Sequence, residues 1–178
     1  LLADVSTPEQ LRALIAQIDI FDSGTTTVFF SGELPNGGTA RAVAEELARQ
    51  DPNVRILNET EAARFLDLRT NSALRARMEV LVGGDPTVPG TSSYNFLNGT
   101  TDANGTRTAD GVWDDVSRRF AAETTGAVRV VVDRATDARR VFGATELPAL
   151  LRNAGIADLR HARTGTRGIG NRSEVITA

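Results

Sequence analysis

The chain of 178 residues contains no cysteine and, although 20 residues are basic, no lysine. His161, Trp113, Tyr94 and Met78 are each the only residue of their type. Without cysteine there is no thiol nucleophile, disulfide or thiolate zinc site. Without lysine there is no Schiff base and no P-loop lysine. A lone histidine excludes sites that need two, and a Ser-His-Asp triad would have to use His161, with no G-x-S-x-G elbow to carry its serine. Carboxylates, hydroxyls, arginines and aromatics are what remain for catalysis. No window comes near 18 apolar residues, so no transmembrane helix is expected and no membrane partner. The net charge of −3 argues against nucleic acid as the main partner.

The length fits one domain with a sizeable core, and composition is that of an ordinary globular chain. The chain begins Leu-Leu-Ala-Asp, without Met or a signal-peptide pattern, which reads as a domain excised from a longer protein. Asn58, Asn98, Asn104 and Asn171 each open an N-x-S/T triplet; in so Thr-rich a chain these read as chance.

Local patterning predicts alternating helices and strands. Thr7, Pro8 and Gln10 mark a helix start, followed by an apolar face of Leu11, Leu14, Ile15 and Ile18. A buried strand is expected over 27–31, a turn over 33–38, and a helix over 39–50 with Val43, Ala44 and Leu47 inward. A short strand over 53–57 and helices over 59–68 and 72–82 follow. Asn58 is expected to cap the first of these two helices. Residues 83–110 turn to Gly, Thr, Ser, Asn and Pro and read as one long loop. The strongest helix spans 109–124, capped by Asp110, with Asp114 and Asp115 complementing its N-terminus, and stopped at Gly126. The Val run over 127–133 predicts a central strand. Glu146 falls where a loop becomes the start of a helix over 145–153, closed by Gly155. The Arg- and Gly-rich stretch 161–172 reads as a surface tail, and 174–177 as an edge strand. The class is α/β: a helical N-terminal part and a small, mainly parallel sheet flanked by helices.

Candidate chemistry clusters at strand ends and on one helix. Trp113 and Ser117 are four apart and share a helical face with Phe120 and Ala121. Phe30, Ser31 and Gly32 end a strand, where sites of α/β sheets lie. Asn58, Glu59, Thr60 and Asp67 form a polar group around one helix.

In order and spacing, Trp113-Asp-Asp-Val-Ser117-Arg-Arg-Phe120-Ala121, then Gly126-Ala-Val128-Arg-Val130, then Val141-Phe142-Gly143-Ala-Thr-Glu146 resemble the core of the ADP-ribosyl cyclase family. Val28-Phe-Phe30-Ser31-Gly32 and Ile56-Leu-Asn58-Glu59-Thr60 resemble that family's Phe-Trp-Ser-Gly and Leu-Glu-Asp segments. The match covers 113–148 and, more loosely, 28–67. The resemblance implies an ADP-ribosyl cyclase-like fold over 1–178 and an NAD(P) glycohydrolase, with cyclic ADP-ribose as an alternative product. A non-catalytic nucleotide-binding or interaction module is the reading from another class. By the same resemblance Glu146 is the catalytic glutamate facing the nicotinamide ribose. Trp113 positions nicotinamide, Ser117 follows one turn later, and Phe30 forms a second aromatic wall. Ser31, Gly32 and the Phe142 backbone bind pyrophosphate; Asn58, Glu59 and Asp67 line the substrate. Asn58 stands where the family carries an acid that helps to decide between hydrolysis and cyclisation, and Phe30 stands where many members carry Trp. No metal or bound cofactor is implied; NAD or NADP is the substrate. A Cys-free domain of this kind suggests the NAD-depleting toxin module of a secreted or delivered effector acting in a target-cell cytosol, with a cognate immunity protein as partner.

Overall fold

The computed structural model describes residues 2–20, 25–34, 37–132, 139, 141–165 and 168–175, with side chains described only as far as 160. Its elements are α1 (Pro8–Ile15), β1 (Thr26–Ser31), α2 (Ala40–Gln50), β2 (Val54–Ile56), α3 (Glu61–Leu66), α4 (Ser72–Leu81), α5 (Ser92–Asn98), β3 (Thr100–Thr101), β4 (Arg107–Ala109), α6 (Val112–Glu123), β5 (Gly126–Val132), a π-turn (Phe142–Glu146), α7 (Leu147–Arg152), β6 (Ile156–Gly165) and β7 (Gly168–Val175). They pack as two compact units, one of residues 1–20 and 60–117, the other of 21–59 and 118–178. The division falls within α6.

The first unit is helical. Its helix starts are coded locally by side chains that accept the otherwise unpaired backbone N–H groups of a first turn. Thr7 Oγ1 accepts from Gln10 N at 3.2 Å, with Pro8 at the first helical position, and Gln10 Oε1 reaches back to Ser6 N at 2.7 Å. Thr60, Asn71 and Thr91 do the same for α3, α4 and α5, accepting from Ala63, Leu74 and Tyr94 at 3.1–3.2 Å. The cap of α3 is thus Thr60 rather than Asn58, because α3 starts only at Glu61. Leu11 and Ile15 of α1 are buried with Leu66, Leu74 and Met78. The expected 83–110 loop instead holds α5 and the β3–β4 hairpin. The hairpin turn is built by Asp102, whose Oδ1 accepts from Asn104 N and Thr106 N, both at 2.9 Å, with Gly105 at positive φ. Helix α6 starts at Val112, three residues later than expected, because Ala109 belongs to β4. Its cap comes from inside: the buried Asp114 carboxylate accepts from Gly111 N at 2.8 Å and pairs with Arg107.

The second unit is a five-stranded sheet in the order β2-β1-β5-β6-β7, parallel from β2 to β6, with β7 antiparallel at the edge. Strand alternation sends Val28 and Phe29 to opposite faces. Val28 joins Leu34, Ala40, Ala44, Val54, Ile56 and Val131, with Val43 and Leu47 of α2 packed on the same cluster. On the other face, the Phe29 ring lies 5.2 Å from Phe120 of α6 and 6.1 Å from Phe142. Helical elements therefore cover both faces. Such ring pairs contribute roughly 0.5–1.5 kcal/mol beyond the area they bury. The expected tail over 161–172 is in fact mostly strand: 161–165 belong to β6 and 168–172 to β7, which extends to Val175. Asp133 and Thr177, expected to end strands, lie outside the described residues, as does 176–178 as a whole.

Candidate functional site

In an open parallel sheet, the crevice forms where neighbouring strands leave in opposite directions, beyond their carboxyl ends. Here β1 is flanked by β2 on one side and β5 on the other, so the switch point lies between β1 and β5. Ser31 and Val132, the last residues of the two strands, are register partners there.

Four short segments of the second unit carry the candidates. The first is Phe30-Ser31-Gly32 at the end of β1. Gly32 has φ +78°, a left-handed conformation that a side chain would strain, and its carbonyl accepts from Ala40 N of α2 at 3.0 Å. Phe30 is half-buried and packs on the α2-facing cluster. The second segment is the start of α2, where Thr39 Oγ1 caps Ala42 N at 3.1 Å. The third follows β2: Leu57–Glu59 form a 3-10 turn with Asn58 half-buried and Glu59 exposed. The Asn58 amide oxygen faces Arg41 of α2, whose Nε and Nη2 are both 3.2 Å away, and Arg41 Nε also donates to Glu45 at 2.6 Å.

The fourth is the π-turn. It lies against β1, anchored by Phe142, which is fully buried beside Phe29. It ends on Glu146, a side chain only 5% exposed. Acidic side chains are seldom this buried without pairing or a task. Glu146 has helical φ and ψ of −80° and −47° and continues directly into α7. It is therefore interior to a helical run, not the start of one as expected. The π geometry, which recurs as single turns at functional sites, carries no composition of its own and was invisible in the sequence.

The remaining candidates belong to the first unit. Ser117 is buried at 4% exposure and Trp113 is half-buried, one turn apart on α6. Asp67 ends α3 and is gripped by its neighbour: Arg69 Nε and Nη2 donate to its two carboxylate oxygens at 2.9 and 2.7 Å. That forked pair gives Asp67 a local structural task. Phe30, Ser31, Gly32, Asn58, Glu59, Phe142 and Glu146 thus all fall in the sheet-bearing unit, the first five at or just after the ends of β1 and β2 and the last two on the turn that packs on Phe29, while Trp113, Ser117 and Asp67 belong to the other unit. Arg41, which faces Asn58, was not singled out from sequence; its position in the first turn of α2 was the available clue.

Among the described residues, no three His, Asp or Glu side chains are grouped to hold a metal ion, and no helix is long and apolar enough to cross a membrane. Comparison of the chain with protein-family models, curated proteins and solved structures finds no match.

Proposed function

We propose that the chain is an NAD(P) glycohydrolase of the ADP-ribosyl cyclase kind, with Glu146 as its catalytic carboxylate. The observation that carries the reading is the placement of Glu146: a nearly buried carboxyl, on a π-turn, against the strand that borders the switch point. Nicotinamide in NAD is already a cationic leaving group. The C1′–N1 bond breaks with its electron pair going to the ring nitrogen, so no strong general acid is needed. What remains is an oxocarbenium-like carbon, which a carboxylate in a weakly solvated setting stabilises. Water then bonds to C1′ and gives its proton to solvent, leaving nicotinamide and ADP-ribose. Ser31, Gly32 and the Phe142 backbone would meet the pyrophosphate, and Asn58 and Glu59 the sugar. Phe30, Trp113, Ser117 and Asp67 enter the proposal through the resemblance alone. The cellular role that goes with it is that of an NAD-depleting toxin domain held in check by an immunity protein.

The test is incubation of the purified chain and its Glu146→Gln variant with NAD and with NADP, resolving nicotinamide, ADP-ribose and cyclic ADP-ribose by chromatography. Wild type should release nicotinamide, and the isosteric variant should lose roughly 100- to 1,000-fold in turnover, the scale of a removed electrostatic stabiliser, with its thermal midpoint retained. Cyclic ADP-ribose as the main product would make the chain a cyclase. Near-normal turnover by Glu146→Gln would remove the site assignment, and no nicotinamide release from either substrate would remove the activity.

A further inference from the structure

Two of the asparagines that open N-x-S/T triplets, Asn98 and Asn104, are both followed by Gly-Thr. Asn36 also precedes a glycine and lies outside the described residues. An asparagine before glycine can close on itself. The next backbone nitrogen reaches the side-chain amide carbon, and no Cβ on the second residue blocks the approach. Closure needs the amide to swing and the peptide plane to turn, and the fold treats the two described pairs differently.

Asn98 is the last residue of α5. Its Nδ2 donates to Tyr94 O at 3.1 Å, and its own carbonyl accepts from Arg107 Nη2 at 2.9 Å. Gly99 is buried, and its N–H donates to Asn95 O at 2.8 Å. All three groups that must move are held. Asn104 lies in the turn of the β3–β4 hairpin and is exposed. Its backbone N–H donates to Asp102, but its side-chain amide makes no hydrogen bond among the described residues. Of the groups that must move, only the Gly105 N–H is engaged, at 3.0 Å to Asp102 O, in an exposed turn that local fraying opens at low cost.

We infer that Asn104 is a site of spontaneous modification, a deamidation whose co-reactant is water. Gly105 N loses its proton to solvent and bonds to Asn104 Cγ; the Cγ–Nδ2 bond breaks, and Nδ2 takes up a proton and leaves as ammonia. Water then adds to either carbonyl carbon of the cyclic imide and breaks that carbon's bond to nitrogen. Opening at Cγ leaves an aspartate. Opening on the main-chain side leaves an isoaspartate, whose backbone runs through Cβ and Cγ and is one carbon longer. No electrons are transferred; an amide is exchanged for an acid. The lengthened link falls within the turn that joins Thr106 N to Asp102 Oδ1 at 2.9 Å and Asp102 N to Thr106 O at 2.8 Å, so both bonds are lost. The next residue, Arg107, is the partner of the buried Asp114 at the start of α6, and the loosening arrives beside that pair. The inference does not depend on the reading of Glu146.

The experiment incubates the purified chain at mildly alkaline pH, folded and in urea, and follows Asn98 and Asn104 by peptide mapping. Mass reports the exchange of amide for acid, and a protease that cuts before aspartate but not before isoaspartate separates the products. In the folded chain Asn104 should convert at least ~10-fold faster than Asn98, the gap between a turn that opens often and a held helix end that opens rarely. In urea the two rates should converge. Isoaspartate should be among the products, and the Asp102 amide should lose its protection from hydrogen exchange as isoaspartate forms, while Asn104→Gln keeps that protection through the same incubation. No conversion at Asn104, equal rates at the two sites in the folded chain, a gap that survives in urea, conversion without isoaspartate, or an Asp102 amide still protected after conversion would each overturn the inference. The wild-type comparison of Asn104 with Asn98 decides it whether or not the Gln variant folds.

Discussion

Asn153 follows α7, yet what it holds is the end of α6. Its Nδ2 lies 3.0, 2.9 and 2.7 Å from the carbonyl oxygens of Ala121, Ala122 and Thr124, and its Oδ1 accepts from Gly155 N at 2.8 Å. One amide thus serves carbonyls that the last turn of a helix leaves unpaired, across more than 28 residues of sequence. An NH2 group has two hydrogens for these three acceptors, so about two hydrogen bonds to carbonyls and one from Gly155 are lost in Asn153→Ala. At roughly 1 kcal/mol net each, with water replacing the exposed one at Ala122, the expected cost is about 2–3 kcal/mol. For a chain of this size that is a fall of roughly 4–12 °C in thermal midpoint. Asn153→Asp separates this account from simple loss of packing. It keeps the acceptor for Gly155 but sets a negative charge against three carbonyl oxygens and the negative end of the helix dipole. It should therefore be less stable than Asn153→Ala at neutral pH. The introduced carboxyl should have its pKa raised in the folded state, so its neutral, donating form supports folding at low pH and that support is lost as pH rises through the folded value. Urea melts of both variants at neutral and mildly acidic pH provide the assay. An Asn153→Asp protein as stable as Asn153→Ala at neutral pH, or one whose deficit does not shrink on acidification, would refute the reasoning.

Other outcomes follow from the first unit. A Cβ at Gly111 would lie 2.2 Å from Gly99 N and 2.6 Å from Leu97 O, both backbone atoms that cannot swing away, so Gly111→Ala should cost about 3 kcal/mol or more in a denaturant titration. Asp114→Ala removes the buried partner of Arg107 and the acceptor for Gly111 N together, and should cost about 3–5 kcal/mol, clearly more than the surface control Glu45→Ala. Asp85 is held below its usual pKa of 3.8 by hydrogen bonds from the Thr87 side chain and backbone N–H and by Arg75. Its ionised form therefore supports folding above that value and loses the support as pH falls through the lowered one, so the stability gap between wild type and Asp85→Asn should narrow on acidification below about pH 4 in paired urea melts.

What could be read from the sequence was what the sequence encodes within a few residues. The Thr7 and Thr39 side chains, at the two helix starts that were expected, reach only three residues ahead, and the Val and Phe runs of β1 and β5 are strands buried on both faces, legible as such; Thr60 and Thr91 cap by the same short reach but were passed over. The α/β class followed from their alternation. In residues 83–110 the code was equally local but unlike a core element: α5 is short and polar, and the hairpin rests on Asp102 and Gly105, whose residue types also fill open loops. The strands of residues 161–175 were hidden for another reason. Arg and Gly there have weak strand preference, and what makes them strand is the free edge of β5, more than 20 residues earlier, which β6 pairs with in parallel.

The candidate site divides along the same line. The position of Ser31 and Gly32 at a strand end was legible because a strand end is a local event; that Asn58 and Glu59 follow the neighbouring strand, rather than simply surrounding a helix, needed the strand order. Glu146 was legible as a residue and illegible as a geometry. A carboxylate after Phe-Gly-x-x reads as a helix start favoured by the dipole, which would leave it at an exposed helix end. It is buried because Phe142 is committed to Phe29 on the sheet face, and the turn that carries both residues runs unbroken into α7. Its burial is thus set from β1, by a contact more than 100 residues apart in sequence. Truncating Phe142 should then loosen the carboxylate's position before it unfolds the sheet, because β1 keeps β5 and β2 as neighbours and Phe29 keeps Phe120. A residue that holds the site through packing and a residue that carries its charge sit four positions apart on one turn, and only the second is marked by its chemistry.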